Sequence, residues 1–262
     1  MAGAEGAGTV VRATRLLQTL AELPDGGSLK EIARRTALPP STAHRLLQLL
    51  MQQGFVERDV DGQNYQTGPE LFRVASLIAS QSSLVDLARP FLRRVAQEFD
   101  EICTFGIYIP ETRRATTIDH IQSTNPLQYG LQQFQSTSLL WGAMGRSILA
   151  YLPETEIAAC LAEEGLAPGT GAPPPPPSVL RRELRQIRDR GYTCSEGQRI
   201  KGAVGVAAPV FRTDGRIFGS LCVTLPKLRY TRHMAERLPP LVVEQARALS
   251  TVLGNRRSAA AE

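Results

Sequence analysis

Residues 28–54 read SLKEIARRTALPPSTAHRLLQLLMQQG, two amphipathic segments divided at Leu38-Pro39-Pro40. Ser28 opens the first with a capping-box pattern: its hydroxyl can accept a first-turn N–H while Glu31 reaches back. Leu29, Ile32, Ala33 and Ala37 supply the apolar side. The prolines end it, because proline lacks a donor and holds its predecessor extended. Pro40 suits the first position of the next helix, where a missing N–H goes unused. From there Ala43, Leu46, Leu47 and Leu50 recur at i, i+3, i+4, i+7 as a buried stripe, and Gly54 fits a left-handed cap.

The opposite stripe is Ser41, Arg45 and Gln48, with Thr42 and His44 beside it. Hydroxyls can contact phosphates or base edges, and a guanidinium can fork onto a guanine, so this is the inventory of a major-groove recognition helix. A solvated amphipathic face uses the same periodicity, and the flanks decide between the two. Upstream, Val10, Ala13, Leu17 and Leu20, with Leu16 and Leu23 alongside, mark a first helix that ends at Pro24 and Gly26-Gly27. Downstream, two short extended runs flank Asp61-Gly62, which predicts a two-residue type I′ hairpin turn. Three helices followed by a hairpin make a winged helix-turn-helix. Arg58, on the hairpin, is placed either to touch the minor groove or a phosphate, or to be solvated.

Bulk charge adds little. The chain of 262 residues carries +5, but residues 1–80 hold eight Lys/Arg against eight Asp/Glu. Any nucleic-acid affinity must come from the placement of charges rather than their excess. Four scattered cysteines (Cys103, Cys160, Cys194, Cys222) and three scattered histidines give neither a disulfide framework nor metal-ligand spacing, so no metal or cofactor is expected. The first residues lack a basic segment leading into an apolar one, and the longest apolar run, 202–211, is too short for a bilayer. A soluble cytoplasmic protein is expected. Residues 1–8 are Gly/Ala-rich and read as disordered.

After Gly68-Pro69 a helix carries Leu71, Ala75 and Ile78 on one stripe; Ser82-Ser83 leads into another with Pro90 as a kink or new start. Ile102–Ile109, Ala115–Gln122, Ala203–Phe211 and Ile217–Leu225 read as strands. Leu139–Leu152, Glu154–Glu164 and Val179–Arg190 read as helices, and a last one runs to Leu253-Gly254, interrupted at Pro239-Pro240. Residues 167–177 contain six prolines and read as a surface connector. Helices on a mainly antiparallel sheet give an α+β class.

Two stretches resemble the IclR family of bacterial transcriptional regulators. Residues 28–71, with EIARRTAL, PPSTAHRLL and Tyr65-x-Thr67-Gly68-Pro69, are similar to its DNA-binding domain. Residues 190–226, with Gly191-Tyr192, Ser195-Glu196, Ala207-Ala208-Pro209-Val210-Phe211 and Asp214-Gly215, are similar to its effector domain. The resemblance implies a winged helix-turn-helix over 9–68, a linker helix over 69–82 that also helps a dimer form, and a GAF-like domain over 83–254. It implies a double-stranded DNA operator as partner, a small-molecule effector, and a homodimer or dimer of dimers. The effector pocket carried over from the family comprises Trp141, Ala143, Met144, Ser195, Gly205, Cys222 and Thr224.

Exposed amides between Gly142 and Gly145 offer a carboxylate seat. Where some relatives have a small polar residue Trp141 stands, and where they have an acid Ser195 stands, so a bulkier, more apolar site for a larger or aromatic acid is expected. Core packing is the competing role for Trp141 and Met144, and for Cys222 packing is favoured over reactivity. Gly142-x-x-Gly145-Arg146-Ser147 lacks the first glycine and the lysine of a phosphate loop, and no nucleophile stands with a base, so catalysis is not expected. A ligand-sensing module acting through protein partners is the alternative function.

Overall fold

The computed structural model describes residues 8–81, 84–130 and 133–259, which form two compact units divided between Ser83 and Leu84. The expected disorder of residues 1–8 falls, but for Gly8, outside the described residues, as does Ser82-Ser83.

The first unit contains α1 (Thr9–Ala21), β1 (Gly27–Ser28), α2 (Leu29–Thr36), α3 (Pro40–Gln52), β2 (Val56–Arg58), β3 (Asn64–Thr67) and α4 (Pro69–Gln81). Leu16, Leu20, Ile32, Ala43, Leu47, Val56 and Tyr65 close its core. The buried face of α1 runs through Leu16, Thr19 and Leu20, leaving Val10 exposed rather than in the stripe. The three strands pair antiparallel in the order β1-β3-β2.

Capping follows the sequence in part. Ser28 Oγ accepts the Glu31 N–H at 3.3 Å, but the Glu31 carboxylate turns to Arg35 instead of reaching back. Helix α2 stops at Thr36, before the prolines, because Ala37 is left-handed and lets Leu38 N–H reach Ala33 O. Ala37 is therefore exposed and outside the apolar face. Helix α3 ends in a Schellman arrangement: Gly54 (φ +71°) donates to Met51 O and Phe55 to Leu50 O. The expected two-residue turn at Asp61-Gly62 is replaced by a longer loop. Asp59 N–H bonds Asn64 O, Gly62 N–H bonds Asp59 O, and only Gly62 is left-handed. The Asp59 carboxylate accepts from Gln63 and Asn64, which outcompetes the tighter turn.

The second unit contains α5 (Leu84–Phe99), β4 (Ile102–Ile109), β5 (Arg114–Ile121), β6 (Ser136–Ser138), α6 (Ala143–Leu149), α7 (Glu154–Glu163), α8 (Pro177–Arg190), β7 (Thr193–Glu196), β8 (Ala203–Phe211), β9 (Ile217–Pro226) and α9 (Arg232–Ala259). All six strands are antiparallel, in the order β6-β5-β4-β9-β8-β7. Alternation divides their side chains: Phe105, Val206, Leu221 and Val223 pack under α5 and α9, while Ala115, Ala207 and Cys222 pack under α6. This is the α+β, GAF-like arrangement with flanking helices.

Three element readings are corrected. Pro239-Pro240 does not interrupt α9, because Leu238, Val242, Ala246 and Leu249 anchor the helix to the sheet across the missing donors. Of the two readings of Pro90, the new start is the one corrected, since Pro90 lies inside a continuous α5. The helix expected from Leu139 begins only at Ala143, since Gly142 has φ +84° and Ser138 Oγ holds the Leu140 and Trp141 amides. Strands β6 and β7, too short for a periodic signal, form the sheet edges.

One buried charge ties α5 to β5. The Asp119 carboxylate, fully buried, receives two hydrogen bonds from Arg89, at 3.0 and 3.1 Å. Removing Arg89 strands the buried Asp119 charge, so Arg89→Leu is expected to lower the urea midpoint of unfolding measurably. An unchanged midpoint would assign the pair no role in stability.

Candidate functional site

On α3 the apolar stripe turns Ala43, Leu46 and Leu47 inward and leaves Ser41, His44 and Arg45 exposed, with Thr42 and Gln48 half-buried. His44 and Gln48 face one another at 3.4 Å, Nε2 to Nε2. Ser41, Arg45 and Gln48 thus form a row of donors one turn apart along the helix. Arg58 stands apart from this row. It lies over the Tyr65 ring at 4.3 Å and donates to the Tyr65 hydroxyl (2.7 Å) and to Gly62 O. Arg58 is exposed and at the same time clamps the wing loop through these contacts. At the wing tip Val60 is fully exposed.

In the second unit the geometry begins with bare backbone. A Cβ on Gly145 would stand 2.2 Å from Ser138 O, and one on Gly106 would stand 2.3 Å from Met144 Sδ. Glycine there lets the start of α6 settle against the sheet, and beside it a cleft of about 610 Å3, measured out to its solvent opening, remains. All seven residues of the expected pocket — Trp141, Ala143, Met144, Ser195, Gly205, Cys222 and Thr224 — line it together. Trp141 and Met144 also belong to the core beneath α6, so packing and lining coincide.

Sequence reasoning missed Thr104, Thr117, Thr137, Gln198 and Arg199, which line the same cleft. Hydroxyls, an amide and one guanidinium thus line the cleft together with Trp141 and Met144. Thr104 was legible as the polar side chain within the run ICTFGIYI. The β7–β8 loop that carries Gln198 and Arg199 had no such signal. That loop is held by the proline-rich connector. Gly169 N–H donates to Gln198 O at 2.9 Å, and a Cβ on Gly169 would stand 2.1 Å from Gly197 O. Just ahead of the connector, Gly165 O accepts the Trp141 indole N–H at 3.1 Å.

The carboxylate seat is already engaged in part. Gly142 N–H donates to Gln198 Oε1 at 3.1 Å, and the Cys222 thiol contacts Val223 O and Thr224 Oγ1. Burial pushes that thiol up to about 11, so at neutral pH it packs as a small neutral group. Arg146 turns inward to Leu140 O and to Glu183, at 2.5 Å each, an orientation that serves packing between α6 and α8. Among the described residues there is no cluster of metal-ligating side chains and no helix long and apolar enough to cross a membrane.

A helix-turn-helix with an exposed donor row, and a separate unit that carries a cleft, have the layout of a DNA-binding regulator. The IclR helix-turn-helix domain model matches residues 9–60, and the model of the bacterial transcriptional regulator IclR C-terminal domain matches residues 77–251. The chain belongs to the IclR family. It is 30% identical to the HTH-type transcriptional regulator BhcR of Paracoccus denitrificans, over 98% of this chain and 92% of that one. Its fold is similar to a putative IclR regulator from Silicibacter, with TM-score 0.86 at 24% identity, covering 94% of this chain and 96% of that chain. It is also similar to an IclR homologue from Microbacterium hydrocarbonoxydans complexed with 4-hydroxybenzoate, with TM-score 0.73 at 23% identity, covering 94% and 99%. These relatives are transcriptional regulators rather than enzymes, and this chain is a transcriptional regulator with a helix-turn-helix DNA-binding domain.

Arg45 has no hydrogen bond or ion pair to the protein among the described residues, so removing it tests DNA contact without disturbing the fold. Arg45→Ala is expected to weaken binding to the protein's own upstream fragment by about 1–3 kcal/mol in a gel shift, with unchanged melting temperature. Undiminished binding would remove Arg45 from the interface.

Proposed function

We propose that the protein reads a roughly palindromic operator with α3, through Ser41, Thr42, Arg45, Gln48 and His44, as a homodimer or dimer of dimers in the cytoplasm. A small organic or aromatic acid in the sensor cleft shifts its affinity for that operator. The observation that carries this reading is the pairing of an exposed donor row on one unit with a polar-rimmed cleft on the other.

The neutral charge of residues 1–80 favours two-fold placement, since a pair of weak half-site contacts gains by effective concentration what bulk charge does not supply. Exposed apolar side chains on α4, Phe72 at 63% and Ile78 at 59%, suit burial between two copies. Arg58 serves indirectly, by fixing the wing. That the Microbacterium homologue was crystallised with 4-hydroxybenzoate supports an aromatic acid as the class of effector, and the Trp141 ring in the cleft suits one.

The test is a gel shift on the upstream fragment, repeated with an acid selected by thermal shift from aromatic and aliphatic carboxylates. A sequence-specific complex whose midpoint moves at least about fivefold with the acid is the expected result. Binding that neither prefers the fragment to unrelated duplex nor responds to any stabilising acid would favour a sensor acting through protein partners.

A further inference from the structure

Arg199 is the one charged side chain among the described residues that line the cleft. It is half-buried, and burial lowers its pKa. Its guanidinium donates to Gln135 Oε1 at 3.1 Å. Gln135 is exposed, and a neutral amide oxygen is a weak partner for a partly desolvated cation. Beside it Gln198 Oε1 holds the Gly142 N–H. Two side-chain amide oxygens, from the segment before β6 and from the β7–β8 loop, thus sit on the donors that an anionic group would take.

Position is enforced from behind. Gly169 docks on Gly197–Ile200 with no room for a side chain, and the Arg199 stem packs 3.4 Å from where a Gly142 Cβ would be. The backbone and stem of Arg199 are thereby fixed beside the cleft. Paired with an amide and backed by a rigid brace, the guanidinium is pre-organised for a charge the cleft does not yet contain.

We infer that Arg199 is the charge-selecting residue of the cleft: it takes the carboxylate of an acid effector, displacing Gln135, and makes the cleft discriminate acids from their neutral isosteres. This rests on the proposal that an acid is the effector and names the residue that recognises its charge. Because Gln135 and Arg199 belong to different loops, exchanging one oxygen for another also loosens the tie between them.

The experiment is calorimetric titration of the full chain with matched pairs: benzoate with benzamide, 4-hydroxybenzoate with 4-hydroxybenzamide, and phenylacetate with phenylacetamide. Wild type is expected to bind at least one acid about tenfold or more tighter than its amide, and Arg199→Gln to reduce that preference to within about threefold. Gln135→Ala, which removes only the competing oxygen, is expected to tighten the acid about two- to threefold and leave the amide unchanged. An acid preference that survives in Arg199→Gln, or an acid affinity indifferent to Gln135→Ala, overturns the assignment of Arg199 while the acid-effector reading stands. Amides binding as well as acids to wild type, or neither binding, overturns that reading itself and the inference with it.

Discussion

Helix α6 can approach the sheet only because side chains are missing beneath it. Gly106 on β4 makes room for Met144, Gly145 in the helix lies against Ser138 O, and a Cβ on Gly205 of β8 would press on Ala143 at 3.0 Å. Larger residues at these points would lift the helix start away, and the cleft beside it would lose its wall. Everything attributed to the sensor unit follows from that seat. Gly142 N–H finds Gln198, and the threonines of β4 and β5 face the same space.

A second layer of support lies behind this seat. The connector rich in proline reads as a spacer in sequence, yet it and the residue Gly165 just ahead of it touch both sides of the cleft. Gly165 O takes the Trp141 indole proton, and Gly169 pins the loop bearing Gln198 and Arg199. Proline suits such a brace, because a chain that loses little entropy on ordering holds its partners without much compensating contact. In the DNA-binding unit Arg58 plays a comparable part. It is spent on Tyr65 and the wing backbone, which leaves Arg45 as the recognition helix's free guanidinium.

The parts of this organisation that were legible in sequence are those with strong periodicity or specific punctuation. The stripe Ala43-Leu46-Leu47-Leu50, the Gly54 cap and the long strands were all readable, because burial alone selects their residues. The seven cleft residues came from family resemblance, and they do gather at one place. What escaped was set by tertiary partners. The wing loop lengthened because the Asp59 carboxylate captured local amides, α9 ran through two prolines because its apolar face was anchored, and α6 started late because Ser138 held the preceding amides. Arg199 was invisible for a related reason. Nothing in the sequence around it marks the brace that turns it toward the cleft.

We propose that cleft and recognition helix are two sites of one coupled equilibrium. The most direct measurement is the affinity of the selected acid for the free protein and for the protein saturated with its upstream DNA fragment, each by calorimetry. Linkage requires the two acid affinities to differ by the same factor by which the acid changes DNA affinity, about 5- to 150-fold for ordinary allosteric coupling. Equal acid affinities with and without DNA would contradict the claim and leave the cleft and the helix as independent sites.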